Sequence, residues 1–203
     1  MSEFTRASFV VAAQRLEQLP PDAGREVAFA GRSNAGKSSA LNAITQRQAL
    51  ARVSKTPGRT RQLVVFELDP DRRLVDLPGY GFAKVSAATL RDWNQTLERY
   101  FRQRQCLAGL VLIMDVRHPL REYDLQMLDF CQARALPVHV LLTKADKLKR
   151  GRARATLDQV RRKLTDEGLT ASAQLFSSLK RDGVDAAQNQ LRLWLDLPIK
   201  QAT

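Results

Sequence analysis

The eight residues Gly31-Arg-Ser-Asn-Ala-Gly-Lys-Ser38 constrain this chain more than any other stretch. They fit the phosphate-loop pattern of Gly, four free positions, Gly, Lys, then Ser or Thr. Gly31 and Gly36 let the backbone turn tightly and approach an anion with no side chain between. Across Arg32, Ser33, Asn34 and Ala35 the turn aims successive N–H groups at phosphates, and the helix that follows adds its positive end. Lys37 is placed to reach the β- and γ-phosphates, and the Ser38 hydroxyl to ligate Mg²⁺. The flanks agree with this reading. Val27–Ala30 is a short apolar run that reads as a buried strand, and Ser39–Ile44 has helical composition.

The chain on either side extends the same pattern. Residues 4–19 read as an N-terminal arm, extended or briefly helical, closed by the Pro20-Pro21-Asp-Ala-Gly24 cluster. Residues 51–61 are polar and basic around a central Pro-Gly and read as a loop. Residues 62–68 and 72–75 read as a hairpin turned at Asp69-Pro70-Asp71. Leu90, Trp93, Leu97, Tyr100 and Phe101 recur at helical spacing over 87–104. Strands that read as buried follow at 109–114 and 137–142, and a last strand at 171–176. Helices are expected at 121–134, 152–165 and 183–195. Strands alternating with helices give an α/β fold with a mostly parallel sheet of six strands, one antiparallel edge strand and helices on both faces. The expected organisation is an arm over 1–24 and a single domain over 25–203.

Composition narrows the partners. No stretch approaches 18 consecutive apolar residues, so no membrane span is expected. The N-terminus lacks the layout of a secretory signal. Cys106 and Cys131 share no metal or redox spacing, which points to reduced thiols and a cytoplasmic location. Lys and Arg number 33 against 21 Asp and Glu, a net charge of +12. Such a balance is the electrostatic footprint of a nucleic-acid binder, and equally of a basic surface that attracts nucleic acid without specificity. Aromatic residues are only 6%, so backbone phosphate contact is favoured over base stacking.

A phosphate loop alone does not separate ATP from GTP. Thr143-Lys-Ala-Asp146, directly after a buried strand, does: Asp146 can accept hydrogen bonds from guanine N1–H and N2–H, and the Lys144 stem can lie along the base. Ala145 completes that turn. Phe176-Ser177-Ser178 ends the last strand, with the Ser178 N–H placed to meet guanine O6. Asp76-Leu77-Pro78-Gly79 stands where an outer Mg²⁺ ligand (Asp76) and a γ-phosphate contact (the Gly79 N–H) belong. Thr60 can bring a second hydroxyl to the metal.

These motifs, taken in order with Lys55-Thr-Pro-Gly-Arg-Thr-Arg-Gln-Leu63 and the Tyr80-Gly-Phe-Ala83 continuation, closely resemble the EngB/YihA/YsxC family of bacterial GTPases, over nearly the whole chain. The resemblance implies a three-layer Ras-like fold, GTP/GDP and Mg²⁺ as ligands, and slow GTP hydrolysis. It also implies a role in assembling the large ribosomal subunit on its rRNA, and a need in cell-division septation. It places Gly58, Arg59, Thr60, Arg61 and Gln62 at the nucleotide as a switch loop, Lys37, Thr60 and Gly79 in catalysis, and Ser38, Thr60 and Asp76 at the metal. Many GTPases carry a water-orienting Gln after the Asp-x-x-Gly motif. Tyr80 stands there in this chain, so a partner's arginine or a K⁺ ion is needed to raise the rate. Asn34 holds the position that resembles the K⁺ ligand of cation-dependent relatives, and turn capping explains it equally well. A monomer is expected. Two other readings stay open: an ATP-dependent small kinase, and an RNA-binding module with a structural nucleotide.

Overall fold

The structure, a computed structural model, describes residues 2–51, 62–80 and 87–199, and of 87–94 the backbone alone. In chain order the strands are β1 (Ser8–Ala13), β2 (Arg25–Gly31), β3 (Leu63–Asp69), β4 (Arg72–Asp76), β5 (Leu107–Asp115), β6 (Val138–Thr143) and β7 (Ala171–Leu175). The helices are α1 (Lys37–Thr45), α2 (Ala87–Gln103), α3 (Glu122–Ala133), α4 (Arg150–Asp166) and α5 (Val184–Trp194). One sheet contains all seven strands in the order β1-β3-β4-β2-β5-β6-β7. The pairs β4–β2, β2–β5, β5–β6 and β6–β7 are parallel, whereas β3 runs antiparallel to both β4 and β1.

Residue alternation sorts the central strands into two apolar faces. Val27, Phe29, Val111 and Ile113 pack with Leu41 and Ile44 of α1 and Leu191 and Trp194 of α5. Ala28, Ala30, Leu110 and Leu112 pack instead with Tyr100 and Phe101 of α2, Met127 and Leu128 of α3, and Leu157 and Val160 of α4. Both faces of these strands are covered, which is why their sequence shows no polar alternation. The result is three layers, with α1 and α5 on one side and α2, α3 and α4 on the other.

The sheet has seven strands where six were expected, and β3 is second from the edge. The arm supplies the extra strand. Residues Glu3–Arg6 form a 3-10 turn and Ser8–Ala13 pair with β3, with a register shift between Phe9 and Val11. Phe9 and Val10 are exposed, so β1 lacks the alternating buried face by which a strand is recognised in sequence. The open edge of β3 selects it, and that pairing is non-local.

The opposite end of the sheet from the phosphate loop is pinned by an ion pair. Glu26 is fully buried and takes hydrogen bonds from the Tyr100 hydroxyl (2.5 Å) and from Arg104 (3.0 Å), which also donates to the Pro20 carbonyl (2.9 Å). Cys106 and Cys131 are buried free thiols, each pushed up to about 12 by burial above all.

Candidate functional site

The parallel strands all deliver their carboxyl ends to one rim of the sheet, the location where open α/β sheets bind ligands. There β2 runs into the phosphate loop, β4 into Asp76–Gly79, β5 into Asp115, β6 into Thr143–Asp146 and β7 into Phe176–Ser178. The topology therefore gathers five stretches that lie far apart in the chain.

Two glycines of the loop are fixed by geometry. Gly36 has φ +97°, a left-handed conformation that disfavours any side chain. A Cβ on Gly31 would lie 2.7 Å from the Ile113 carbonyl oxygen of β5. The Ala35 N–H bonds the Arg32 carbonyl (3.0 Å) and the Ser33 N–H the Tyr80 carbonyl (3.0 Å). Among the described residues, the N–H groups of Asn34, Gly36, Lys37 and Ser38 have no protein acceptor. They lie at the start of α1, whose N-cap is Gly36 with no side-chain cap, so this turn is a concentration of unpaired donors. Asn34 adopts φ 62°, which asparagine tolerates better than most residues. Lys37 donates from Nζ to Asp76 Oδ1, which brings the loop cation and the end of β4 together.

The base side is built from β6 and β7. Thr143 is buried, and its hydroxyl sits against the carbonyl oxygens of Ala35 and, at 3.1 Å, Met114. Lys144 adopts φ 58° and extends back along the phosphate loop, donating to the Asn34 carbonyl (2.6 Å) and pairing with Asp115 (3.0 Å). Burial opposes charge on Asp115, yet hydrogen bonds from Arg117 and Lys144 outweigh it and hold that carboxyl well below the ordinary range. Asp146 lies in a 3-10 turn over Ala145–Lys147, tied to β7 where the Ala145 N–H meets the Phe176 carbonyl (3.1 Å). Its Oδ1 accepts the Ser177 hydroxyl (2.7 Å), and that hydrogen bond above all lowers its pKa below the usual value. An ionised, oriented carboxylate thus faces an open cavity of about 350 Å³ lined by Gly36, Ser39, Lys144, Ser178 and Leu179 among others.

The structure brings Gly31–Ser38, Asp76–Gly79, Thr143–Asp146 and Phe176–Ser178 to this rim. Gln62 directly precedes β3 and is half-buried. Gly58, Arg59, Thr60 and Arg61 lie outside the described residues. Tyr80 turns away from the rim into the core. Two contributors were not evident in the sequence: Asp115, which braces Lys144, and Asp124, which receives Tyr80. Ser177 was expected at the site, but not that its hydroxyl orients Asp146. An acidic residue closing the apolar run Leu110–Met114 is the only signal that pointed to Asp115. His139 is buried, between Ser172 (2.7 Å) and Gln174 (2.9 Å).

A family described as "50S ribosome-binding GTPase" matches residues 26–144. A relative named "Probable GTP-binding protein EngB" from Stenotrophomonas maltophilia (strain K279a) is 55% identical over 193 residues, covering 95% of this chain and 96% of that protein. The chain belongs to the EngB family of GTPases. An EngB protein from Xanthomonas euvesicatoria pv. vesicatoria (strain 85-10) is 54% identical over 196 residues, with 96% and 95% of the two chains covered. Among solved structures, a crystal structure of a probable GTP-binding protein engB is similar with TM-score 0.66 at 20% identity, covering 84% of this chain and 98% of that one. Era in complex with MgGDPNP and nucleotides 1506–1542 of 16S ribosomal RNA is similar with TM-score 0.65 at 21% identity, covering 89% and 59%. These two likenesses concern the fold alone, which is the Ras-like phosphate-loop fold. Among the described residues of this EngB protein, no helix is long and apolar enough to cross a membrane.

Proposed function

We propose that this EngB-family GTPase is a slow, nucleotide-dependent switch that acts on the precursor of the large ribosomal subunit. The observation that carries the nucleotide part is the convergence of the unpaired N–H groups of the phosphate loop with an ionised Asp146 oriented by Ser177. Gly31–Ser38 cradle the phosphates, Lys37 neutralises them, and Asp146, Lys144, Ala145 and the Ser178 N–H hold guanine. Thr143 locks the base turn to the phosphate loop, with Phe176 packed beneath. The hydroxyl of Ser38 and carboxylate of Asp76, with the Thr60 hydroxyl, form an oxygen-only donor set that fits Mg²⁺. When bound, that ion neutralises charge on the phosphates. Gly79, within Asp76-Leu77-Pro78-Gly79, offers its N–H to the γ-phosphate, and Gly58–Gln62 are assigned to the same phosphate. Hydrolysis releases both loops.

Tyr80 gives the attacking water no side chain, so turnover is slow until a partner contributes a group or K⁺ contributes charge near Asn34. Equal turnover in KCl and NaCl at one ionic strength would remove the K⁺ element. The ribosomal part rests on the family description, on the 16S RNA held by the structurally similar Era, and on the +12 charge. The protein acts in the cytoplasm as a monomer, with residues 1–24 as an arm on a domain of 25–203, and normal septation needs it. The test is co-sedimentation with purified large-subunit precursors in the presence of GDP or a non-hydrolysable GTP analogue. Retention with the analogue and release with GDP is expected. Equal pelleting in both states would overturn the switch.

A further inference from the structure

Tyr80 follows Gly79 directly, and its side chain is held away from the nucleotide rim. The ring is only 5% exposed, and its hydroxyl donates to Asp124 Oδ1 at 2.8 Å. Asp124 is itself 1% exposed, and its other carboxylate oxygen accepts the Arg121 N–H (3.0 Å) as the cap of α3. The acceptor is therefore immobilised at the start of a helix. Burial pushes the Tyr80 phenol well above its ordinary range, so the proton stays on tyrosine and the hydroxyl remains a donor.

The backbone of the same residue is tied to the phosphate loop on both sides. Its N–H donates to the Gly31 carbonyl (3.3 Å), and its carbonyl accepts the Ser33 N–H (3.0 Å). Gly79 lies flat against that loop, with Ser33 backbone atoms 3.4 Å from where a Cβ would project. Glycine has the widest backbone freedom of any residue, so something must fix the orientation of its amide. The bonds made by Tyr80 do so from the next position.

We propose that Tyr80 is a positioning residue for the γ-phosphate: its tether to Asp124 holds the Gly79 N–H against the phosphate loop and so raises affinity for GTP relative to GDP. This rests on the assignment of Gly79 above. A donor that is already oriented gives up little freedom on binding, and a ligand without a γ-phosphate gains nothing from it. The signature is a change in the ratio of the two affinities, not a general loss.

The experiment measures competition by GDP and by a non-hydrolysable GTP analogue against fluorescent GDP, for wild type, Tyr80→Phe and Tyr100→Phe. Tyr100→Phe is the control, because it also removes a buried phenol bond, the one to Glu26, on the same face of the sheet. Tyr80→Phe is expected to weaken the analogue about fivefold and GDP less than about twofold, the scale of one net hydrogen bond. Tyr100→Phe is expected to lower Tm and leave the ratio unchanged. Equal weakening of both nucleotides by Tyr80→Phe, no weakening, or the same ratio change in Tyr100→Phe would overturn the proposal. Competition by ADP against GDP in the wild type tests the guanine site separately. Equal competition there would sink the base assignment while the phosphate ratio still reads the tether.

Discussion

Replacing Ser177 by Ala tests the base site through a single atom. The Ser177 hydroxyl accepts the Lys180 N–H at 3.2 Å, which leaves its proton to point at Asp146 Oδ1 2.7 Å away. Ser177 is fully buried, so no bulk water takes its place when the oxygen is removed. A hydrogen bond to a charged group contributes about 1.5–3 kcal/mol. Asp146 faces an open cavity and keeps Lys147 3.7 Å away, so the lower end applies. A loss of about 1.5 kcal/mol corresponds to about tenfold in affinity. Fluorescent GDP titration of Ser177→Ala should therefore show Kd raised about tenfold, with ADP binding as poor as before. The Tm without nucleotide should fall by no more than about 6 °C, since a change of 1 kcal/mol moves a domain of this size about 2–4 °C. Unchanged GDP affinity would mean that Asp146 is positioned by something other than Ser177, and the account of the base site would be wrong.

Two further outcomes concern the scaffold. Arg104→Met leaves the buried Glu26 carboxylate without its cation, which costs about 3–5 kcal/mol and should lower Tm by about 10 °C in scanning fluorimetry, with guanine preference intact. His139 is held below its ordinary value of 6.5 by burial first of all, so the folded chain refuses a proton that the unfolded chain accepts. Its share of stability is therefore intact above about pH 6.5, falls as pH drops toward the folded pKa, and levels off below it. His139→Gln should show a shallower fall in urea midpoint than wild type between pH 7 and pH 5, and parallel curves would refute the assignment.

The sequence disclosed the parallel core because strands buried on both faces are apolar runs of strand length, as in Leu110–Met114. That the phosphate loop and the Thr143–Asp146 and Phe176–Ser178 turns share one rim was legible for another reason. Their spacing is local, and each motif sits at a strand end that the sheet then aligns. Three things were not legible. β1 forms because β3 has an open edge, and exposed Phe9 and Val10 give no periodic signal. The Lys144–Asp115 and Ser177–Asp146 pairs join separate strands, so only the fold reveals them. Tyr80 occupies a motif position that in many GTPases faces the substrate, and its inward course depends on Asp124, 44 residues later.

The most direct measurement of the central claim is competition by GDP, ADP and XDP against fluorescent GDP for wild type and Asp146→Asn. In the proposed site Asp146 would accept two guanine N–H groups, whereas xanthine presents a carbonyl in place of the amine, and an asparagine amide can donate to it. GDP-selective binding in wild type, redirected to XDP by the substitution, is the expected result. Competition by ADP equal to that by GDP in the wild type, or an Asp146→Asn variant that still prefers GDP over XDP, would contradict it.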